Sequence, residues 1–171
     1  YESRVLNVPS KFGNIAKAYV TRTDVYGSGD NYQSTYNEVV DYCNDISDRL
    51  IAYNPTLIVG IARGGLIPAV HLSHALNLPM QTLLWQTRDG STQERNPAVD
   101  KAIAEGEVVV FVDDINDSGR TFTEIKEHYN AGITACIIEK MHSEFQCDVT
   151  GGRTDSERWI EFPWESEDLE E

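Results

Sequence analysis

VVVFVDDINDSGRT, residues 108–121, runs from a wholly apolar stretch into three aspartates and then a glycine set among hydroxyls. Val108 to Val112 are too few for a free-standing helix and rich in β-branched side chains, so they read as a central strand covered on both faces. The residues after such a strand lie at its carboxyl end, the edge where open α/β sheets bind ligands. Asp113, Asp114 and Asp117 could there bind a divalent cation, hold a polyol or act as acid and base. Their neighbours narrow the choice. Ser118, Gly119, Arg120 and Thr121 open a helix, whose first N–H groups and positive dipole end suit a phosphate. A phosphate seat beside paired carboxylates suggests a phosphorylated sugar, its vicinal hydroxyls donating to the acids.

The same strand-then-helix logic extends to both sides. Tyr36, Val39, Val40, Cys43, Ile46 and Leu50 recur at helical spacing and predict a helix over 35–52, closed by Pro55. Leu57 to Ile61 predict a second buried strand ending at Gly64-Gly65, and Pro68 suits the first turn of a helix reaching Leu76. MQTLLWQT (80–87) reads as a third strand, and the polar RDGSTQERN (88–96), without apolar anchors, as either a disordered loop or a mobile lid. Phe122, Ile125 and Tyr129 predict a helix ending at Gly132, followed by the strand ITACIIEK (133–140), and RWIEFPW (158–164) reads as a strand of a small flap. Residues 1–31 suggest one or two short strands and a loop. Repeated strand–helix alternation implies an α/β fold with a central, mostly parallel sheet flanked by helices.

Composition limits the partners. A length of 171 residues allows one domain with a real core, and 40% hydrophobic with 25% charged residues is the balance of a soluble globular protein. The net charge of −14 makes nucleic acid a poor partner, since binding it calls for an excess of Lys and Arg. No stretch approaches the ~18 apolar residues of a membrane span. Cys43, Cys136 and Cys147 lack metal-type spacing and fit reduced thiols of a cytoplasmic protein, with Cys136 filling the core. His71 and His74, at i,i+3 spacing, suit packing or exposure better than a metal.

The 108–121 stretch resembles the phosphoribosyl-pyrophosphate (PRPP) signature of type I phosphoribosyltransferases: a hydrophobic strand, two acids, two spacers, then Asp-Ser/Thr-Gly-x-Thr. The resemblance implies that Asp113 and Asp114 hold the ribose hydroxyls, directly or through Mg²⁺, that Asp117 faces the base as the catalytic residue, and that Ser118, Gly119, Arg120 and Thr121 cradle the 5′-phosphate. GIARGG (60–65) resembles the family's pyrophosphate loop, which gives Arg63 and Gly64 the leaving pyrophosphate and implies a cis Ala62–Arg63 peptide. WIEFPW (159–164), nineteen residues beyond Lys140, is similar to the C-terminal motif of bacterial xanthine-guanine phosphoribosyltransferases. There Trp159 would stack on the purine, Ile160 would offer backbone groups to its edge, and Lys140 would donate to the oxygen at C6, favouring a 6-oxopurine over adenine.

These motifs divide the chain into an N-terminal extension at 1–31 that can belong to the hood, an α/β PRPP-binding core at 32–139, a purine-binding hood at 140–164 and an acidic tail at 165–171. They imply transfer of 5-phosphoribosyl from PRPP to xanthine, guanine or hypoxanthine by a cytoplasmic homo-oligomer, dimer or tetramer, with Arg88 and Arg95 available on the lid. Two alternatives stand: a non-catalytic PRPP-binding regulator on the same fold, or a transferase with a pyrimidine acceptor.

Overall fold

The computed structural model describes residues 31–87 and 92–165. In chain order these form β1 (Asn31–Gln33), α1 (Tyr36–Leu50), β2 (Leu57–Ala62), α2 (Leu66–Leu76), β3 (Met80–Gln86), β4 (Thr92–Gln93), α3 (Pro97–Ala104), β5 (Val109–Asn116), α4 (Arg120–Tyr129), β6 (Ile133–Lys140), β7 (Val149–Thr154) and β8 (Trp159–Glu161). Six strands make the main sheet in the order β4-β3-β2-β5-β6-β7, parallel throughout except for β4, which runs antiparallel to β3. The expected α/β architecture is therefore present. β1 and β8 form a separate two-stranded parallel sheet.

α1 begins where Thr35 accepts a hydrogen bond from the Glu38 amide, with Glu38 itself held by the Tyr32 hydroxyl. It stops at Leu50, short of the expected 52, because the chain tightens into a 3₁₀ turn over Ile51–Tyr53 and leaves through a left-handed Asn54. α2 starts two residues before Pro68, since a proline in the first turn gives up only an N–H that has no partner within the helix. α1 and α2 cover one face of the sheet, burying Cys43, Ile46, Leu50 and Leu72 on Ile58, Val110, Val112 and Ile137. On the other face Val99 and Ala102 of α3 and Phe122 and Ile125 of α4 close over Val59, Ile61, Leu83 and Phe111.

Other elements depart from the expectation as well: α4 ends at Tyr129 rather than Gly132, and β8 spans only Trp159–Glu161 of the expected 158–164. α3 occupies 97–104, where no helix was expected; Asn96 caps it by accepting from the Ala98 amide, and Pro97 fills its first position. β5 does not end at Val112 but continues to Asn116 with alternating burial, so Asp113 and Asp114 belong to the strand itself. Within the 140–164 segment, β7 extends the main sheet beside β6 and β8 alone pairs with β1.

Candidate active site

Chain order reverses between β2 and β5. β2 leads by way of α2 to β3 on one side, and β5 leads by way of α4 to β6 on the other, so the carboxyl ends of β2 and β5 open a crevice that no crossover covers. A cleft of about 970 Å³ lies there. It brings together Arg63 and Gly64 beyond β2, Asp113 and Asp114 on β5, Asp117 to Thr121 on the following turn, and Trp159 and Ile160 on β8.

At the end of β2 the Ala62–Arg63 peptide is cis, as expected, and Arg63 is exposed to the cleft. Gly64 lies directly against the acids: a Cβ on it would fall 2.1 Å from Asp114 Oδ2. On β5, Oδ1 of Asp113 accepts the Asp114 amide at 2.8 Å and Oδ1 of Asp114 accepts the Ile115 amide at 2.7 Å, which fixes both carboxylates. Burial, reinforced by the neighbouring charge of Asp114, holds the Asp113 carboxyl well above the ordinary carboxylate range. A group raised in this way contributes stability that is fully present below the ordinary carboxylate range and lost as pH climbs through the raised value. Asp113→Asn is expected to remove that loss, raising Tm of the ligand-free protein at neutral pH by roughly 2–4 °C, as thermal denaturation of both proteins across pH will show.

The turn after β5 carries the phosphate candidates. Gly119 adopts φ 92°, a left-handed conformation costly for any other residue, and leads into α4. The Arg120 amide donates to Ser118 Oγ, the Arg120 guanidinium pairs with Glu124 at 2.8 Å, and Thr121 Oγ1 lies 3.1 Å from the hydroxyl of Thr87. The turn is braced from behind. Asn116 donates to Glu139 Oε1 and to the Phe145 carbonyl, Ser143 Oγ donates to Asn116 Oδ1, the Glu144 amide donates to the Ser118 carbonyl, and Phe145 stacks on Phe122 with ring centroids 5.7 Å apart. Sequence reading took Asn116 for a spacer and missed this brace, as it missed the lining residues Trp85, Thr87 and Thr92 and the contact of His142 with Asp117. The strand end at 87, next to β2, was the available signal for Thr87.

Across the cleft, Trp159 is 42% exposed and Ile160 is buried. The Ser34 amide donates to the Glu161 carbonyl at 2.8 Å in the register Gln33↔Glu161, so strand alternation turns the N–H and C=O of Ile160 away from β1. Phe162 and Trp164 stack at 4.9 Å and extend the aromatic wall.

Lys140 does not join this lining. It is 3% exposed at the end of β6, and its ammonium donates to the carbonyls of Ser156 and Arg158, tying down the loop that leads into β8. Burial lowers its pKa, with Asp117 and Glu157 acting in the opposite direction. Of the lid residues, Arg88 lies outside the described residues, while Arg95 is paired with Asp100 at the start of α3 and is not among the lining side chains.

The sulfurs of Cys136 and Cys147 and a carboxylate oxygen of Glu139 fall within 4.8 Å of one another. Glu139 Oε1 already accepts from Asn116 and the Cys147 amide, and Oε2 from Arg153, so the trio reads as a hydrogen-bonded knot behind the turn. Burial raises the Cys147 thiol and pushes that of Cys43 up to about 12. Ellman's reagent is therefore expected to find no reactive thiol in the native protein at neutral pH and all three after unfolding in guanidinium.

A family model for the phosphoribosyl transferase domain matches residues 28–171. A xanthine-guanine phosphoribosyltransferase of Cereibacter sphaeroides is 28% identical over 113 residues, covering 63% of this chain and 68% of that protein. Among solved structures, a purine phosphoribosyltransferase from Pyrococcus horikoshii superposes with a TM-score of 0.68 at 30% identity, covering 81% of this chain and 96% of that one. A xanthine-guanine-hypoxanthine phosphoribosyltransferase of Helicobacter pylori shares the fold with a TM-score of 0.67 at 19% identity, over 79% of this chain and 93% of that one. With the cleft at the switch point of its sheet and the family match running along most of its length, the chain belongs to the phosphoribosyl transferase domain family and is a transferase.

Proposed function

We propose that the protein transfers the 5-phosphoribosyl group of PRPP to N9 of a 6-oxopurine (xanthine, guanine or hypoxanthine), releasing pyrophosphate in purine salvage. The observation that carries this reading is the convergence on one cleft of paired carboxylates, a helix-opening turn and an aromatic strand. Ser118 to Thr121 receive the 5′-phosphate, Asp113 and Asp114 the ribose hydroxyls, and Arg63 with the Gly64 amide the pyrophosphate. Trp159 stacks on the purine, and the outward N–H and C=O of Ile160 meet its edge. Lys140 has two N–H groups committed to Ser156 and Arg158, so its third reaches the purine O6 only if the 155–158 loop shifts.

The adjacent carboxyl groups of Asp113 and Asp114, both lining the cleft, are an oxygen donor set that suits Mg²⁺, and they would hold it. When bound, Mg²⁺ supplies positive charge to the pyrophosphate side of the cleft. Breaking the C1′–O bond builds oxocarbenium character, so the protein's task is electrostatic: Arg63 steadies the departing oxygen while N9 attacks from the opposite face. Asp117 manages the proton at the purine N7 as N9 becomes nucleophilic. The three buried thiols fit a cytoplasmic setting, and exposed Ile67 and Val70 on α2 fit a homo-oligomer, dimer or tetramer.

The test is PRPP- and Mg²⁺-dependent nucleotide formation with xanthine, guanine, hypoxanthine, adenine, uracil and orotate offered separately. Turnover confined to the 6-oxopurines is expected. Turnover with uracil or orotate would transfer the reading to a pyrimidine acceptor, and PRPP binding without turnover on any base would make the protein a regulator.

A further inference from the structure

Among the described residues, the hydrogen-bond partner of the Asp117 carboxylate is a side chain from a different element: His142, on the loop after β6, whose Nε2 lies 2.8 Å from Asp117 Oδ1. Both groups are part-exposed, 52% for the imidazole and 43% for the carboxylate, and Asp117 lines the cleft. The peptides around His142 are pinned. The Met141 amide donates to the Thr154 carbonyl at 2.9 Å, the Ser143 amide to the Lys140 carbonyl at 3.1 Å, and the Glu144 amide to the Ser118 carbonyl at 3.0 Å. The imidazole thus projects from a short segment fastened to β6, to β7 and to the turn that carries Asp117.

An exposed polar contact of this kind adds little to stability, so it has small value as a structural brace. Its effect falls on Asp117, whose side chain would otherwise be free to rotate at the cleft. We propose that His142 is a positioning residue for phosphoribosyl transfer: its Nε2–H donates to Oδ1 of Asp117 and so directs the remaining oxygen, Oδ2, toward the purine. The inference rests on the transferase reading above, and it adds to the machinery a residue outside every motif that suggested that reading.

The test is steady-state kinetics of His142→Ala, His142→Asn and His142→Gln, with Asp117→Asn and the Asp117→Asn/His142→Ala double variant alongside. His142→Ala is expected to lower kcat about tenfold, a fraction of what a general acid or base supplies, with KM for PRPP and for the base within about twofold and Tm unchanged. An amide at 142 can still donate to Asp117, so Asn or Gln is expected to recover most of the loss. In the Asp117→Asn background the second substitution should cost little more, because residues that act as one unit are non-additive. Wild-type kcat in His142→Ala, losses that multiply in the double variant, or a KM that rises as far as kcat falls would each overturn the positioning role. The two failures separate: no nucleotide from the wild-type protein sinks the transferase reading, whereas full turnover by wild type and His142→Ala alike sinks only the role of His142.

Discussion

Asp117→Asn is expected to lower kcat by about 10²–10³-fold while leaving KM for PRPP within about twofold. The asymmetry comes from where the ligand parts sit. The ribose and phosphate are assigned to Asp113, Asp114 and the 118–121 turn, none of which hydrogen-bonds to the Asp117 side chain. Asparagine keeps the shape and can still meet His142, but it cannot take up a proton from the purine. Steady-state kinetics with PRPP and base varied in turn checks this, and equal losses in turnover and PRPP affinity would count against Asp117 as the proton-handling group.

The second large effect belongs to neighbouring glycines with opposite consequences. A Cβ on Gly65 would lie 2.2 Å from the carbonyl oxygen of Val112 and 2.7 Å from that of Ile61, backbone atoms of two central strands that cannot yield. Gly65→Ala is expected to cost about 3–5 kcal/mol and to lower Tm by roughly 10 °C. A Cβ on Gly64 meets the carboxylate of Asp114 instead, so one side chain has to leave the position its hydrogen bond to the Ile115 amide gives it while the strand backbones stay in place. Gly64→Ala is therefore expected to fold with a much smaller loss and to fail in PRPP binding. Thermal denaturation paired with PRPP titration separates the two.

Much of the site was legible because its parts are local in sequence. Strand, acids, glycine and helix start succeed one another from 108 to 121, and a buried apolar run fixes where its own carboxyl end must be. The hood residues Trp159 and Ile160 were reached only through the resemblance of a short motif. What escaped depends on neighbours distant along the chain. VTGGRT (149–154) was expected to be a strand, and it forms β7; what escaped there is the reason for its glycines, since a Cβ on Gly151 would lie 2.8 Å from Tyr42 Cβ and the glycine makes room for α1. α3 is only eight residues long, and its inward positions Val99, Ala102 and Ile103 give a single i, i+3, i+4 set to read. Lys140 was correctly placed at the end of a strand, but its carbonyl partners Ser156 and Arg158 could not be inferred from spacing. Nor does any local pattern join His142 to Asp117.

The pairing of β1 with β8 separates the cleft's two walls in origin as well as in position. One wall is built wholly from consecutive crossovers of the main sheet, whereas the other is a ribbon joined from opposite ends of the described chain, docked through Tyr32, Ile160 and Phe162. On the proposed function, a graft that exchanges residues 31–34 and 159–164 together would replace the wall proposed to meet the acceptor and leave the proposed donor seat untouched. Changing either segment alone would break the ribbon's register. Under that proposal the acceptor preference is a two-part cassette, whose halves pair strand to strand and are best altered together.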